Sequence, residues 1–306
     1  MSDAAGKRLV VWIVSDGKPG HVNQSLGLAE ALARAAPADL HTFPALPAWR
    51  AWLAWLTTRL AAAPTDAPDL IVGAGHATHA TLLAARRAHS GRAVVLMKPS
   101  LPRSCFDLAI LPAHDGVAAD ARTLVTEGAL NRVRPSRERD ADRGLILIGG
   151  DSPHFEWDSD AVQVQIKSIL ARTPDMRWTL TTSRRTPAAF LQDLPAAPNL
   201  GVVPHTATPP DWLPAQLARS AVVWVTPDSA SMVYEALTAG ADVGVFDLPV
   251  NPKSRVARAI AQLADARRVT RFAAWCASGT LHPNTQPLAE ADRCAEWILE
   301  WLKTRN

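Results

Sequence analysis

The sequence predicts an α/β protein built on parallel sheets, in two domains. Three observations carry that reading. Short, continuous apolar or β-branched runs recur along the chain, as strands buried on both faces require. Longer amphipathic patterns of helical period lie between them. The 306 residues also exceed what one hydrophobic core usually serves, so two domains of roughly 150 residues are expected.

In chain order, the strand-like runs are residues 9–14, 70–72, 93–97, 108–111, 145–148, 178–181, 202–203, 222–225 and 243–246. The helical patterns between them are 24–34, 49–60, 77–87, 162–171, 187–194, 229–238 and 256–264. In 49–60, WRAWLAWLTTRL, the residues Trp49, Trp52, Leu53, Leu56 and Leu60 form one stripe, expected to pack on the first sheet, with Trp55 on the outer face. The segment 132–143, RVRPSRERDADR, is the most charged in the chain and contains a proline. A fresh strand followed by Gly149-Gly150 begins directly after it, which places the domains at 1–140 and 141–287. A tail follows at 288–306, whose helix over 288–303 lines up Cys294, Trp297, Ile298, Trp301 and Leu302.

Composition narrows the function classes. Hydrophobic residues at 48% and charged residues at 20% describe a compact soluble chain, and no apolar run is long enough to span a bilayer. The first strand begins too early for a leader peptide to precede it, and no small-residue cleavage site follows it. Three distant cysteines, Cys105, Cys276 and Cys294, argue against a disulfide framework or zinc cluster and for a reducing cytoplasmic setting. The net charge is only +3 and no dense basic stripe exists, so nucleic acid is not expected as a partner. Nearly all the positive charge is arginine, whose planar fork suits phosphates and carboxylates.

Ligands of open parallel sheets bind beyond the carboxyl ends of strands, where helix N-termini offer free N–H groups to anions. The first such place is 15–24, SDGKPGHVNQ. Gly17 and Gly20 admit a ligand close to the backbone, Lys18 and His21 add donors, and the polar stretch is longer than an ordinary βα turn. It is neither a Walker A loop nor a G-x-G-x-x-G fingerprint, so ATPase and dehydrogenase readings lose their main support. The second place is 226–236, TPDSASMVYEA. Helical spacing puts Asp228, Ser231 and Glu235 on one face with Met232 beside them. Ser229 and Ser231 suit a phosphate and Glu235 a pair of ribose hydroxyls, while Asp228 or Ser229 also serves as a helix cap.

Two further strand ends complete the set. Gly149-Gly150-Asp151-Ser152 follows strand 145–148, and Thr182-Ser183-Arg184-Arg185-Thr186-Pro187 follows strand 178–181. Adjacent arginines there suit a diphosphate. The turn at Gly73-Ala74-Gly75-His76, with His79, is a weaker signal. The D-x-D pairs Asp140/Asp142 and Asp158/Asp160 lie in the linker and at a helix start rather than at strand ends, which argues against a metal site.

Six motifs in order, SDGKPGHVNQSLGLAEAL, MKPS, FDLAILPAHDG, TEGALNRV, TTSRRTP and VTPDSASMVYEA, resemble the ELM (elongated mitochondria) mitochondrial-fission family. Its bacterial members are often labelled predicted nucleoside-diphosphate-sugar epimerases. The first motif is also similar to the glycine loop and first helix of the peptidoglycan N-acetylglucosaminyltransferase that makes lipid II. Asp16 and Lys18-Pro19 stand where that transferase is richer in glycine. The Asp-Ser-x-Ser-Met-x-x-Glu segment resembles the donor-site helix of GT-B glycosyltransferases. The resemblance implies two Rossmann-like domains facing a cleft, with the tail helix crossing back to the first domain. It also implies a nucleotide-sugar held by Gly149, Gly150, Arg184, Arg185, Asp228, Ser229, Ser231, Met232 and Glu235. Gly17, Lys18, Gly20 and His21 would face it, with His21 or Asp16 as general base.

The leading expectation is therefore a metal-independent GT-B-type glycosyltransferase that takes a nucleotide-diphosphate sugar and needs no other cofactor. The alternatives are a nucleotide-sugar epimerase on the same fold, or a non-catalytic adaptor that recruits a dynamin-like partner. A lipid-linked or saccharide acceptor is expected, with weak peripheral membrane contact through the outward Trp55.

Overall fold

In the computed structural model, which describes residues 8–60, 63–194, 196–209 and 211–304, the apolar runs pair as parallel strands. The residues before Arg8, on which the leader expectation rests, lie outside that description. Two compact units result, one of residues 1–132 and 289–306, the other of 133–288.

The first unit runs β1 (Leu9–Ser15), α1 (Pro19–Ala35), β2 (Ala38–Pro44), α2 (Ala48–Thr57), β3 (Leu70–Ala74), α3 (His79–His89), β4 (Arg92–Leu96), β5 (Leu108–Pro112) and β6 (Thr123–Thr126). The strands form a six-stranded sheet in the order β2-β1-β3-β4-β5-β6, every pairing parallel. The second unit runs β7 (Asp140–Leu147), α4 (Ser159–Arg172), β8 (Arg177–Thr181), β9 (Leu200–Val203), α5 (Trp212–Arg219), β10 (Ser220–Val225), α6 (Ala230–Ala239), β11 (Asp242–Val245), α7 (Arg255–Asp265), β12 (Thr270–Arg271) and α8 (Phe272–Ser278). Its sheet has the order β12-β11-β10-β7-β8-β9, again parallel. The chain then returns to the first unit as α9 (Glu290–Lys303). This is the α/β fold with parallel sheets that the alternation predicts, and the two-sheet, GT-B-like fold that the resemblance implies.

The central strands were legible because they are apolar throughout. The edge strands β2, β6 and β12 were not, because an edge strand has a neighbour on one side only and carries Asp39, His41, Thr123 and Arg271 without cost. Residues 187–194 form only a short 3₁₀ turn, Ala188–Leu191, rather than a helix. The charged segment 132–143 is not a free linker. Val133 is buried, the Ser136 N–H bonds to the Ala239 carbonyl, and β7 already begins at Asp140. The contacts divide the units at 132/133, at the start of the charged run.

Both faces of the first sheet are covered. One packs α1 and α9, with Leu28, Leu32, Cys294, Ala295 and Ile298 buried against Val11, Val72 and Val94. Burial pushes the Cys294 thiol above its ordinary range, so it packs as an inert apolar group. The Arg34–Asp292 ion pair and a hydrogen bond from the Arg293 guanidinium to the Val125 carbonyl pin α9 at its amino end.

The other face packs α2 and α3, and here the expected orientation of α2 is reversed. Ala51 and Ala54 are buried and Trp55 packs inward, with the Arg87 guanidinium 4.5 Å from its ring. Trp49, Trp52, Leu53 and Leu56 face solvent at 65%, 41%, 53% and 68% exposure. The small alanines let α2 approach closely, which large indoles do not. Leu60 is buried but lies beyond the helix, which ends at Thr57 before a left-handed Thr58.

Tryptophan has a second use in the second unit. Trp178 lies over Gly144 and Trp224 over Gly244, each glycine being the cross-strand neighbour of its indole. A Cβ at either glycine would meet the ring within 2.5 Å. The indoles lie flat in the space the glycines leave, which packs Trp224 against Phe246, Phe272 and Trp275.

Because Ile298 is fully buried against α1 and the sheet, Ile298→Ala is expected to destabilise the protein by about 2–5 kcal/mol. Urea denaturation followed by circular dichroism checks it; an unchanged midpoint would mean that α9 does not belong to that core.

Candidate functional site

In each sheet the strand order reverses once, between β1 and β3 in the first and between β7 and β10 in the second. At such a point neighbouring connections leave toward opposite faces, and the carboxyl ends of the strands are left open to a ligand. The motifs singled out in the sequence lie at these two places.

In the second unit, Gly149-Gly150 follows β7, Ser183–Thr186 follows β8 and Thr226–Ser229 follows β10, three adjacent strands. The Gly149 N–H donates to Thr226 Oγ1 at 2.7 Å and the Gly150 N–H to Asp228 Oδ2 at 3.0 Å. Ser183 and Thr186 hydroxyls both donate to the Gly149 carbonyl. The Arg185 guanidinium lies 2.7 Å from Asp228 Oδ2 and also donates to the Asp151 carbonyl. Neither glycine tolerates a side chain. A Cβ on Gly149 would meet the Asp228 carboxylate at 2.1 Å, and one on Gly150 the Arg185 carbonyl at 2.0 Å, where φ is also +153°.

Asp228 therefore does not stand on the helix face with Ser231 and Glu235. It precedes the helix, is only 5% exposed, and points back at the glycine loop. Burial raises its carboxyl pKa, a cost that the Thr226 hydroxyl, Arg185 and the Gly150 N–H only partly offset. Its Oδ1 is buried without a hydrogen-bond partner. Ser229 is the N-cap of α6 but its side chain makes no cap hydrogen bond, so the first N–H groups of α6 stay open. Ser231 is exposed, and Met232 and Glu235 are half-buried. Arg184 is exposed and has no hydrogen bond or ion pair among the described residues, unlike Arg185. Thr226, Ser183 and Thr186 stand in the singled-out segments, where the sequence assigns them no role of their own. Their signal was a hydroxyl residue at the end of each strand beside a glycine or arginine pair.

In the first unit the polar loop is shorter than expected. Pro19 is the first residue of α1, as its missing N–H and preset φ favour, so Gly20 and His21 lie in the first helical turn and only Asp16-Gly17-Lys18 remain as loop. Gly17 takes a φ of +74° there, and Lys18 and Gly20 are exposed. The early start brings His21 back onto Asp16, with Nδ1 2.8 Å from Oδ2. A carboxylate only accepts, so Nδ1 carries the hydrogen, and in the neutral ring the lone pair is on Nε2. Burial would raise the Asp16 carboxyl, but hydrogen bonds from His21 and the Lys18 N–H together hold it below its ordinary value. The His21 ring rests on Gly75, where a Cβ would meet Cε1 at 2.3 Å. This contact joins the ends of β1 and β3, so the weak Gly73–His76 signal belongs to this site through Gly75 rather than His76, which is exposed. His79 is buried against Phe106 with its Nδ1 3.2 Å from Ser100 Oγ, and burial lowers its pKa.

Three of the four D-x-D carboxylates have structural partners. Asp140 pairs with Arg143 and Arg219, Asp142 with Arg177, and Asp158 caps α4 by accepting the Ala161 N–H.

The family model for mitochondrial fission ELM1 matches residues 19–302. The chain belongs to this family. Among curated proteins none matches. Solved structures with the same fold include a putative UDP-N-acetylglucosamine 2-epimerase from Listeria monocytogenes, at TM-score 0.64 and 11% identity, covering 98% of this chain and 97% of that one. The UDP-GlcNAc 2-epimerase from Neisseria meningitidis, bound to UDP-GlcNAc, is similar at TM-score 0.54 and 12% identity over 97% of this chain and all of that one, 100%. The glycotransferase of kitacinnamycin reaches TM-score 0.54 at 16% identity, with 97% and 100% covered. At these identities the likeness establishes the fold of this ELM1 family member.

A carboxyl held low in the folded state stabilises the fold above its unfolded pKa and loses that contribution as pH falls through the folded value. The stability difference between the protein and Asp16→Asn is therefore expected to be full at neutral pH and to shrink below about pH 4. Urea midpoints of both proteins across that range measure it; a difference independent of pH would mean that the Asp16–His21 pair does not hold the loop.

Proposed function

We propose that this ELM1 family protein is a nucleotide-sugar-dependent enzyme, a glycosyltransferase in the first instance. The observation that carries the reading is the open anion surface at the β7/β10 reversal. There the uncapped N-terminus of α6, after β10, and Arg184, after β8 and without a partner among the described residues, flank the glycine loop after β7, whose own N–H groups are taken by Thr226 and Asp228. Solved relatives of the same fold are named as acting on UDP-sugars, and one holds UDP-GlcNAc.

In this reading the second unit is the nucleotide-sugar side. Ser229, Ser231 and the open N–H groups of α6 hold the phosphates, Arg184 neutralises the leaving diphosphate, and Glu235 takes the ribose hydroxyls. Met232 borders the nucleotide. Asp228 and Arg185 act through the glycine loop, as positioning residues. The first unit is the acceptor side, with Gly17, Lys18 and Gly20 at its edge. His21 Nε2 takes the proton of an acceptor hydroxyl while Asp16 holds the ring. The acceptor oxygen forms the new bond to the anomeric carbon, and the bond from that carbon to the diphosphate breaks. The charge that develops is met by Arg184 and backbone N–H groups, and no metal is required.

A panel of nucleoside diphosphates and their sugars, read by thermal shift, tests the assignment. One nucleotide-sugar is expected to stabilise the protein, and Arg184→Ala or Glu235→Ala to weaken it by roughly tenfold to a hundredfold, as loss of a charged hydrogen bond does. No stabilisation by any member would favour the non-catalytic adaptor. Product analysis without acceptor then separates transfer from epimerisation.

His21→Ala is expected to keep donor affinity while turnover falls by about 10²–10⁴. Loss of donor binding with turnover unchanged at saturation would make His21 a phosphate contact instead.

A further inference from the structure

Helix α2 places its largest side chains in water. Trp49, Trp52, Leu53 and Leu56 cluster within roughly 100° of arc, while the face toward α3 is built from Ala51, Ala54 and the inward Trp55. Single exposed apolar residues need no explanation, but four contiguous large ones on one face mark a surface that is covered in use. Leu53 and Leu56 are 53% and 68% exposed.

The charges around the stripe say what covers it. Arg50 stacks on Trp49, 5.0 Å from the ring centre, and Arg59 follows the helix. Neither makes an ion pair among the described residues. From Leu40 to Pro64, and again from Leu70 to Phe106, the chain has no Asp or Glu. The helix under α2 is α3, which adds Arg87, stacked on Trp55, while its Arg86 is paired with Asp107. A second copy of the chain docking through the same face would set Arg50 and Arg59 against like charge with no carboxylate on the patch to balance it. An anionic lipid surface balances it, since indoles settle at the headgroup boundary and guanidinium groups meet the phosphates.

We propose that the outer face of α2 docks this protein on an anionic bilayer. No helix among the described residues is long and apolar enough to cross one, so the contact is peripheral. The turn leading into α2 adjoins the end of β1, where Asp16 follows, because the Ala45 N–H bonds to the Ser15 carbonyl. The proposal stands on this surface alone and does not require the nucleotide reading.

The test is co-sedimentation of the full chain with phosphatidylcholine vesicles and with vesicles that also contain phosphatidylglycerol. Pelleting is expected only with the anionic vesicles and to weaken with added salt. Trp49→Ser combined with Leu56→Ser should reduce the bound fraction at least about tenfold, two interfacial anchors being lost. Arg50→Gln with Arg59→Gln should shift binding to lower salt. Both double variants should keep the circular dichroism spectrum and melting temperature, since none of these side chains is buried. No pelleting of the unmodified protein at low salt overturns the proposal. So does equal pelleting of Trp49→Ser/Leu56→Ser, or a concentration-dependent dimer in light scattering that this variant abolishes.

Discussion

The reversal of strand order at β1 and at β7 is the constraint on which both candidate sites depend. A parallel sheet covered on both faces has no face open to solvent, so side chains of its central strands reach a ligand only from the strand ends. Where the order reverses, consecutive connections part and leave the strand ends uncovered. In the first unit the gap is bridged by the His21 ring on Gly75, and in the second by the Asp228 carboxylate on Gly149 and Gly150. In both, a polar group occupies the volume a side chain would fill, so the glycines matter for absent volume more than for backbone freedom.

The two carboxylates at these gaps have opposite electrostatics. Asp16 is held low because His21 and a backbone N–H outweigh its desolvation, while Asp228 is raised because burial outweighs Thr226, Arg185 and the Gly150 N–H. Asp16 is thus ready to stabilise a positive imidazole beside it. Asp228 is costly to keep charged, and Arg185 is committed to it and to backbone carbonyls. That commitment separates the two adjacent arginines, which the sequence presents as equivalent, into one that builds the loop and one that faces outward.

Much of this was legible in the residues. Continuous apolar runs gave the central strands, the alternation gave the parallel sheets, and polar residues at strand ends marked both sites. The misses share a cause, since each depends on which way an element faces rather than on what it is. The period of Trp49, Trp52, Leu53 and Leu56 identifies a helix, but the small size of Ala51 and Ala54 decides which face is inside. The spacing of Asp228, Ser231 and Glu235 fits one helix face, but the helix starts only after Ser229, so Asp228 turns the other way. Asp16 and His21 pair because Pro19 starts α1 five residues before the apolar pattern begins.

The place of α9 in the first unit has a consequence for biosynthesis. Its Cys294, Ala295 and Ile298 complete a core otherwise made of residues up to Leu130, yet the whole second unit lies between them in the chain. On a ribosome, β1 to β6 emerge long before α9, and α1 must wait with its outer apolar side uncovered while residues 133–288 are made. The second unit has all its strands in one continuous stretch and is able to finish first. The earlier-made half is therefore the later to close.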